Sequence, residues 1–76
     1  MKELLETIVK ALVDDPSTVF VTEEREGDEI IFEIDCDPDD RGRVIGRKGR
    51  TIEALRALLG ATGERKGQIV DVEVMD

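Results

Sequence analysis

Residues 44–52 read Val-Ile-Gly-Arg-Lys-Gly-Arg-Thr-Ile, and no other stretch says as much about the fold. Gly46 and Gly49 bracket two cations, Arg47 and Lys48. A glycine-bounded loop in front of a helix lets a phosphate chain come close, because the free N–H groups of a helix N-terminus point outward. The stretch therefore predicts a loop that contacts a phosphate-bearing ligand.

Charge is unevenly distributed along the chain. The 76 residues carry a net charge of −8, yet residues 41–50 contain five cations and no acid. Net charge governs long-range repulsion, whereas a local basic stripe forms a nucleic-acid footprint, so the acidic total does not exclude nucleic acid. The alternative interpretation is that these cations form the solvated start of an ordinary helix.

Hydrophobic periodicity predicts the elements on either side of this stretch. The predicted helices are residues 2–13, residues 40–45 and a longer helix from about Arg50 that Gly60 or Gly63 ends. The predicted strands are residues 17–26, 29–36 and 69–74, and Gly27-Asp28 is the turn of a hairpin between the first two. The residues expected on buried faces are Ile30, Phe32, Ile34 and Cys36 of the second strand and Ile52, Leu55, Leu58 and Leu59 of the last helix.

One glycine is unexpected in this pattern. Gly42 lies inside the predicted short helix, where glycine costs about 1 kcal/mol relative to alanine. Close packing of the backbone against a neighbour would be a reason to accept that cost.

The element order α-β-β-α-α-β predicts an α+β fold, a three-stranded mixed sheet with helices packed on one face. The last strand follows two helices, so a crossover with parallel pairing is expected. The length corresponds to one domain over residues 1–76, with room for one binding face.

The chain resembles a KH domain, and residues 44–52 carry the likeness within a strand-helix-loop-helix-strand frame. The apolar pair before Gly46, and Ile52 three residues after Gly49, make the G-x-x-G motif specific. Only one helix and one strand follow the motif, which matches the prokaryotic, type II KH fold. The resemblance is to the small stand-alone bacterial KH proteins of the KhpA (YlqC) type, and it covers nearly the whole chain.

The resemblance implies an RNA-binding protein that clamps about four unpaired nucleotides of single-stranded RNA through the GxxG loop at residues 46–49. It also implies a chaperone-like or regulatory role on transcripts. The implied RNA-binding residues are Arg43, Val44, Ile45, Gly46, Arg47, Lys48, Gly49, Arg50 and Ile52. The cations would contact phosphates, while Val44, Ile45 and Ile52, together with Ile34 of the second strand, would line an apolar groove for the bases. Val44, Ile45 and Ile52 would be partly buried and so serve both the groove and the core.

Partners are a further implication of the resemblance. It suggests a homodimer, or a heterodimer with the larger multidomain KH protein known as KhpB or Jag. Phe20, Ile31 and Ile69, which the pattern places on the open face of the sheet, are the candidates for a dimer surface. The alternative function is a protein-interaction module on a KH frame, with RNA binding weak or dependent on a partner.

Other chemistries have little support in the sequence. Neither G-x-G-x-x-G nor G-x-x-x-x-G-K-[ST] occurs. The acidic run before the short helix departs from a calcium-binding loop, because Pro38 interrupts it and Gly46 stands where such a loop needs glutamate. A helix cap is the favoured role for this run, which consists of Asp35, Asp37, Asp39 and Asp40. With no histidine and no evident base for Cys36, neither an enzyme nor a cofactor is expected.

The sequence also bears on location. Residues 1–20 lack the order of a signal peptide, and no apolar run approaches the roughly 20 residues of a membrane span. Cys36 is the one cysteine and falls in an apolar strand pattern, which is typical of a buried, inert thiol. A cytoplasmic location is therefore expected.

Overall fold

The computed structural model describes residues 1–75, which form three α-helices and three β-strands in the predicted order α-β-β-α-α-β. The helices are α1 (Lys2–Leu12), α2 (Arg41–Ile45) and α3 (Arg50–Glu64). The strands are β1 (Phe20–Glu26), β2 (Glu29–Asp35) and β3 (Ile69–Val74). Single 3-10 turns occupy Pro16–Thr18, Pro38–Asp40 and Arg47–Gly49.

β2 is the central strand of the sheet. β1 pairs with it antiparallel, with Val21 opposite Ile34, and β3 pairs with it parallel, with Ile30 beside Val70. A two-residue turn joins β1 and β2, whereas the parallel pairing of β2 and β3 needs the longer crossover through α2 and α3. The predicted α+β fold with its mixed sheet is confirmed.

One face of the sheet carries the hydrophobic core. Ile30, Phe32 and Ile34 alternate along β2, and each is at most 1% exposed. All three helices contribute to the same cluster, so they cover this face of the sheet, as predicted. Their buried residues are Leu5 and Val9 of α1, Val44 of α2, and Ile52, Leu55 and Leu59 of α3.

The predicted start of β1 is wrong. Residues 16–18 form a 3-10 turn in place of a strand, and β1 begins at Phe20. The carboxylate of Asp15 accepts hydrogen bonds from the backbone N–H and the hydroxyl of Ser17, and Pro16 lacks the N–H that strand pairing requires. This local capping holds the segment in a turn.

The predicted end of α3 is also wrong. The helix continues through Gly60 and Gly63 to Glu64, and the glycine with positive φ that follows it is Gly67, at +70°. Gly63 instead allows close packing on the sheet, because a Cβ there would lie 2.5 Å from Cγ2 of Val70. Leu58 lies about 100° around the helix from buried Leu59 and is 46% exposed, so its predicted burial is wrong.

The expectation of close packing at Gly42 is wrong as well. Gly42 is exposed, and a Cβ built on it would meet no atom within 4 Å among residues 1–75.

The other face of the sheet is open and acidic. The alternation and the strand register place seven carboxylates on it: Glu24, Glu26, Glu29, Glu33, Asp35, Asp71 and Glu73. Asp71 pairs with Arg56 of α3 at 3.3 Å, and the other six have no cation within 4.0 Å among residues 1–75. The charge of Glu24, followed by desolvation and the charge of Glu73, raises the pKa of Glu33. Phe20 and Ile69 are 64% and 66% exposed on this open face.

Candidate nucleic-acid interface

The loop between α2 and α3 has an unusual backbone. Gly46, Lys48 and Gly49 have φ values of +79°, +59° and +74°. Gly46, with ψ of 169°, occupies a region that is essentially restricted to glycine, and the left-handed region of Gly49 strongly favours it. Lys48 is the one non-glycine residue with positive φ among residues 1–75, so the chain accepts strain where a cation stands at the loop tip.

The side chain of Thr51 lies against Gly46. A Cβ at position 46 would collide with the Thr51 hydroxyl and would stand 2.8 Å from the Thr51 backbone nitrogen. Gly46 is therefore required by its backbone angles and by its surroundings. The predicted site residues did not include Thr51, because nothing in the sequence shows that the first turn of α3 folds back over the loop.

Backbone hydrogen bonds connect the loop to the preceding helix. The N–H of Gly46 donates to the carbonyl of Gly42 at 2.9 Å, and the N–H of Gly49 donates to the carbonyl of Gly46 at 3.1 Å. The N–H groups of Arg47 and Lys48 donate no backbone hydrogen bond within residues 1–75. The loop therefore has a fixed path and still presents two donors.

Three of the predicted cations are available for a ligand. Arg47, Lys48 and Arg50 are exposed, and no carboxylate of residues 1–75 lies within 4.0 Å of them. Together they place three positive charges at the point where α3 begins.

Arg43, the fourth predicted cation, is already engaged. Its Nη2 lies 3.1 Å from a carboxylate oxygen of Asp14, and its Nε lies 3.8 Å from Asp40. Asp40 is buried and accepts the backbone N–H groups of Asp14 and Asp15 at 3.1 and 3.2 Å. The basic stripe is thus weaker at α2 than the sequence indicates. The sequence does not show the ion pair with Asp14, because Asp14 is distant from Arg43 in the chain and meets it only in the fold.

The predicted apolar groove residues differ in exposure. Val44 is fully buried, so the expectation that it is partly buried is wrong; Ile34 is also fully buried, as its place on the inner face of the second strand predicted, and offers no surface to a groove. Both belong to the core that supports the loop. Ile52 is 7% exposed, and Ile45 is 39% exposed. Ile45 is therefore the one of these side chains that offers substantial apolar surface beside the loop.

The acidic run before α2 acts in capping. The side chain of Asp37 accepts the backbone N–H of Asp39 at 2.9 Å, and Asp40 ties the segment after α1 to α2. Within the described part of the chain, no group of three histidine, cysteine or acidic side chains could hold a metal ion. Cys36 is buried, and desolvation followed by the charge of Asp40 raises the pKa of its thiol, so it is a poor nucleophile.

Comparison with known proteins identifies this arrangement. The model of the family described as "KhpA/KhpB, KH domain" matches residues 2–74. The chain belongs to the KhpA/KhpB KH-domain family. The resemblance drawn from residues 44–52 is thereby confirmed, and the frame that positions the 46–49 loop is the frame of this family.

Several members of the KhpA/KhpB family are similar over their full length. A protein of Halalkalibacterium halodurans is 41% identical over 76 residues, which cover all of both chains. One of Clostridium acetobutylicum is 43% identical over 75 residues, 99% of this chain and all of that protein. One of Chlamydia trachomatis is 42% identical over all of this chain and 97% of its own. Each is named RNA-binding protein KhpA.

No solved structure matches the chain. Among residues 1–75, no helix has both the length and the apolar character needed to cross a membrane.

Proposed function

We propose that this KH domain is an RNA-binding protein that clamps single-stranded RNA through the loop at residues 46–49. The observation that carries the proposal lies at the start of α3. There, a glycine-containing loop whose backbone a ligand can approach stands beside Arg47, Lys48 and Arg50, three cations without a carboxylate partner among residues 1–75. The family membership and the names of the relatives support RNA as the ligand.

The loop would act on the RNA phosphates. The place of a side chain at Gly46 is filled by Thr51, but at Gly49 it is open, so a phosphate can approach the N–H groups of Arg47 and Lys48 there. The two cations would neutralise phosphate charge, and Arg50, one residue beyond the loop, would extend the positive strip along α3. These contacts read no base, so they fix the position of the strand more than its sequence.

The bases would lie on the apolar side of the loop. Ile45 offers exposed surface there, and Ile52 closes the floor with its small exposed fraction. Val44 would act from the core by holding α2 in place. No aromatic side chain stands near this surface, since Phe32 is buried and Phe20 lies on the open face, so affinity for one domain should be modest.

A charge-reversal experiment tests the proposal. Arg47→Asp with Lys48→Asp should abolish binding of a short unstructured RNA in a fluorescence-anisotropy titration, because like charges would then face the phosphates. Aspartate tolerates the left-handed backbone of position 48 at least as well as lysine, so the variant should remain folded. The matched control is Arg65→Asp with Lys66→Asp, which changes net charge equally in the exposed turn after α3.

The comparison between the two double variants is decisive. Loss of binding in the loop variant with retention in the control supports the clamp. An equal loss of RNA affinity in both variants would mean that binding depends only on the total charge of the protein. Unchanged affinity of a folded loop variant would overturn the proposal.

Strand geometry is part of the same proposal. A groove that takes unstacked bases should favour single strands over a duplex of the same sequence. Equal affinity for a perfect duplex would contradict this expectation.

We further propose that the protein acts in the cytoplasm as an RNA chaperone or post-transcriptional regulator and not as an enzyme. Modest affinity per domain favours a second copy or a larger KhpB/Jag-type KH partner, since two linked domains gain through effective concentration. Measurement of molar mass by light scattering, with and without RNA, tests the dimer.

The open face favours a second function, a protein-interaction module. Phe20, Ile31 and Ile69 lie there among seven carboxylates, so a basic partner would fit this surface better than a second copy of it. If wild-type protein binds no RNA in the anisotropy titration, this function replaces the first.

A further inference from the structure

The two edges of the sheet are not equally covered. Along β3, the N–H groups of Ile69 and Met75 donate to carbonyls of the β1–β2 hairpin. The polar backbone groups of alternate residues point the other way, so those of Val72 face the free edge. There the Val72 N–H donates to the side chain of Asp71 at 2.8 Å, and the Val72 carbonyl accepts from Nε of Arg56 at 2.9 Å. The centre of this edge is therefore closed to a further strand.

The edge formed by β1 has no such cover. β1 pairs only with β2, and among residues 1–75 no side chain forms a hydrogen bond with the backbone of residues 20–26. An unpaired edge is a template for another chain in extended conformation. β1 contains three glutamates and one arginine, so pairing with β1 of a second copy would bring like charges together. The edge therefore favours a different chain, of opposite charge.

A small cavity lies on the open face beside this edge. Its volume is about 90 Å³, and its lining residues are Glu24, Arg25, Glu26, Glu29 and Ile31. Pockets for small-molecule ligands measure about 300–1,000 Å³, so this cavity suits a single side chain of a larger partner.

The lining of the cavity predicts that this side chain is cationic. The three glutamates of the lining have no cation within 4.0 Å among residues 1–75, whereas its arginine is paired with Glu23. The stem of a lysine or arginine would pack on Ile31, and its charged end would lie among the carboxylates. The charge of Glu24 already raises the pKa of Glu33 on the same face, so a cation here would relieve a repulsion that the free protein bears.

We propose that the free edge of β1 binds an extended, lysine- or arginine-rich segment of another protein, which adds a strand to the sheet and places one cationic side chain in the cavity beside Ile31. This mode of binding rests on the second function proposed above, protein interaction through the open face, and adds to it the place and the geometry of the contact. It does not require RNA, because the loop at residues 46–49 lies on the helix side of the sheet. The two ligands would bind different surfaces.

A short fluorescent peptide that alternates lysine with threonine is the probe, since threonine favours strands. Two control peptides change one property each. Glutamate in place of lysine removes the cations, and proline in place of threonine removes backbone N–H donors while the charge is kept. In an anisotropy titration, wild-type protein should bind the lysine–threonine peptide and neither control. Equal binding of the proline peptide would leave a basic partner on the open face and refute strand addition.

A pair of double variants tests the cavity. Glu24→Gln with Glu26→Gln should weaken peptide binding by roughly 2- to 30-fold, as for two exposed ion pairs. The matched control is Glu3→Gln with Glu64→Gln, which removes the same charge from exposed positions outside the open face and should keep wild-type affinity. Equal weakening in both variants, or wild-type affinity of the first, overturns the proposal.

Amide hydrogen exchange locates the added strand. The peptide should slow the exchange of those N–H groups of β1 that point away from β2, and it should leave the exchange of Val72 unchanged. Protection of β1 without peptide, in a protein that light scattering shows to be a dimer, would assign the edge to a second copy and overturn the proposal.

The RNA clamp and the peptide site fail separately. The Arg47→Asp, Lys48→Asp variant should keep the peptide, because its substitutions lie outside the open face. A wild-type protein that binds RNA and not the peptide overturns the peptide site alone, and one that binds the peptide and not RNA overturns the clamp alone.

Discussion

Replacement of the two loop glycines by alanine should have unequal effects, although both have positive φ. Gly46 occupies the region near φ +79° and ψ 169°, which costs a side-chain-bearing residue about 1–3 kcal/mol. Its new Cβ would also press on the backbone nitrogen of Thr51, 2.8 Å away, and such overpacking costs about 1–3 kcal/mol more. Gly49 lies in the ordinary left-handed region, at a cost of roughly 1–2 kcal/mol, and its Cβ would meet only Cγ2 of Ile52 at 3.9 Å.

Gly46→Ala should therefore lower the free energy of unfolding by about 2–6 kcal/mol, and Gly49→Ala by about 1–2 kcal/mol. For a 76-residue chain with a total stability of roughly 4–11 kcal/mol, the first change should leave a marginal fold and the second a folded protein. The chain has no tryptophan or tyrosine, so urea unfolding should be followed by far-ultraviolet circular dichroism. Thr51→Ala should not rescue Gly46→Ala, because the close atoms include the backbone. Equal losses for the two glycines, or rescue by Thr51→Ala, would refute this reasoning.

Three further predictions concern charge. Asp40→Asn should lower the free energy of unfolding by about 1.5–3 kcal/mol, because hydrogen bonds from two backbone N–H groups to a buried carboxylate are weakened. Thermal unfolding measures this loss, and wild-type stability of the variant would show that these hydrogen bonds do not stabilise the fold. The logarithm of RNA affinity against that of salt concentration should have a slope near roughly −1.4 to −2.8, as for two to four phosphates neutralised on a single strand, and a flat plot would exclude the clamp. Since the pKa of Glu33 is raised in the folded state, its charged form opposes folding above that pKa, and protonation restores stability as the pH falls through it. Glu33→Gln should therefore raise Tm at pH 7 and lose that advantage near about pH 4, and a gain that persists in acid would contradict repulsion between carboxylates as the cause.

The sequence was most informative where periodicity and burial coincide. β3 follows the predicted bounds because three valines alternate with acids. β2 alternates in the same way and ends one residue before its predicted end. The α1 helix ends one residue before its predicted end. Local patterns of this kind predict whether a segment is a helix or a strand, and the G-x-x-G motif with its flanking residues predicted the family.

What the sequence did not show depends on contacts between distant residues or on local capping. The 3-10 turn at Pro16–Thr18 replaces a predicted strand because Asp15 caps it. Leu58 belongs to the apolar set of α3 by composition, yet it stands at the margin of the buried stripe. The ion pair between Arg43 and Asp14 joins two parts of the chain that no pattern connects. In the candidate site, the cations were visible in the sequence, but which of them are unpaired was not.

The opposite placement of charge on the two sides of the sheet has a kinetic consequence. Cations stand at the start of α3, on the helix side, and uncompensated carboxylates cover the far side of the sheet. Such a molecule has a large electric dipole moment, and the field of a polyanion exerts a torque on it as it diffuses. The domain should therefore rotate to present its loop before contact, so that a larger fraction of collisions is productive and the association rate exceeds that of a randomly oriented encounter, most strongly at low ionic strength.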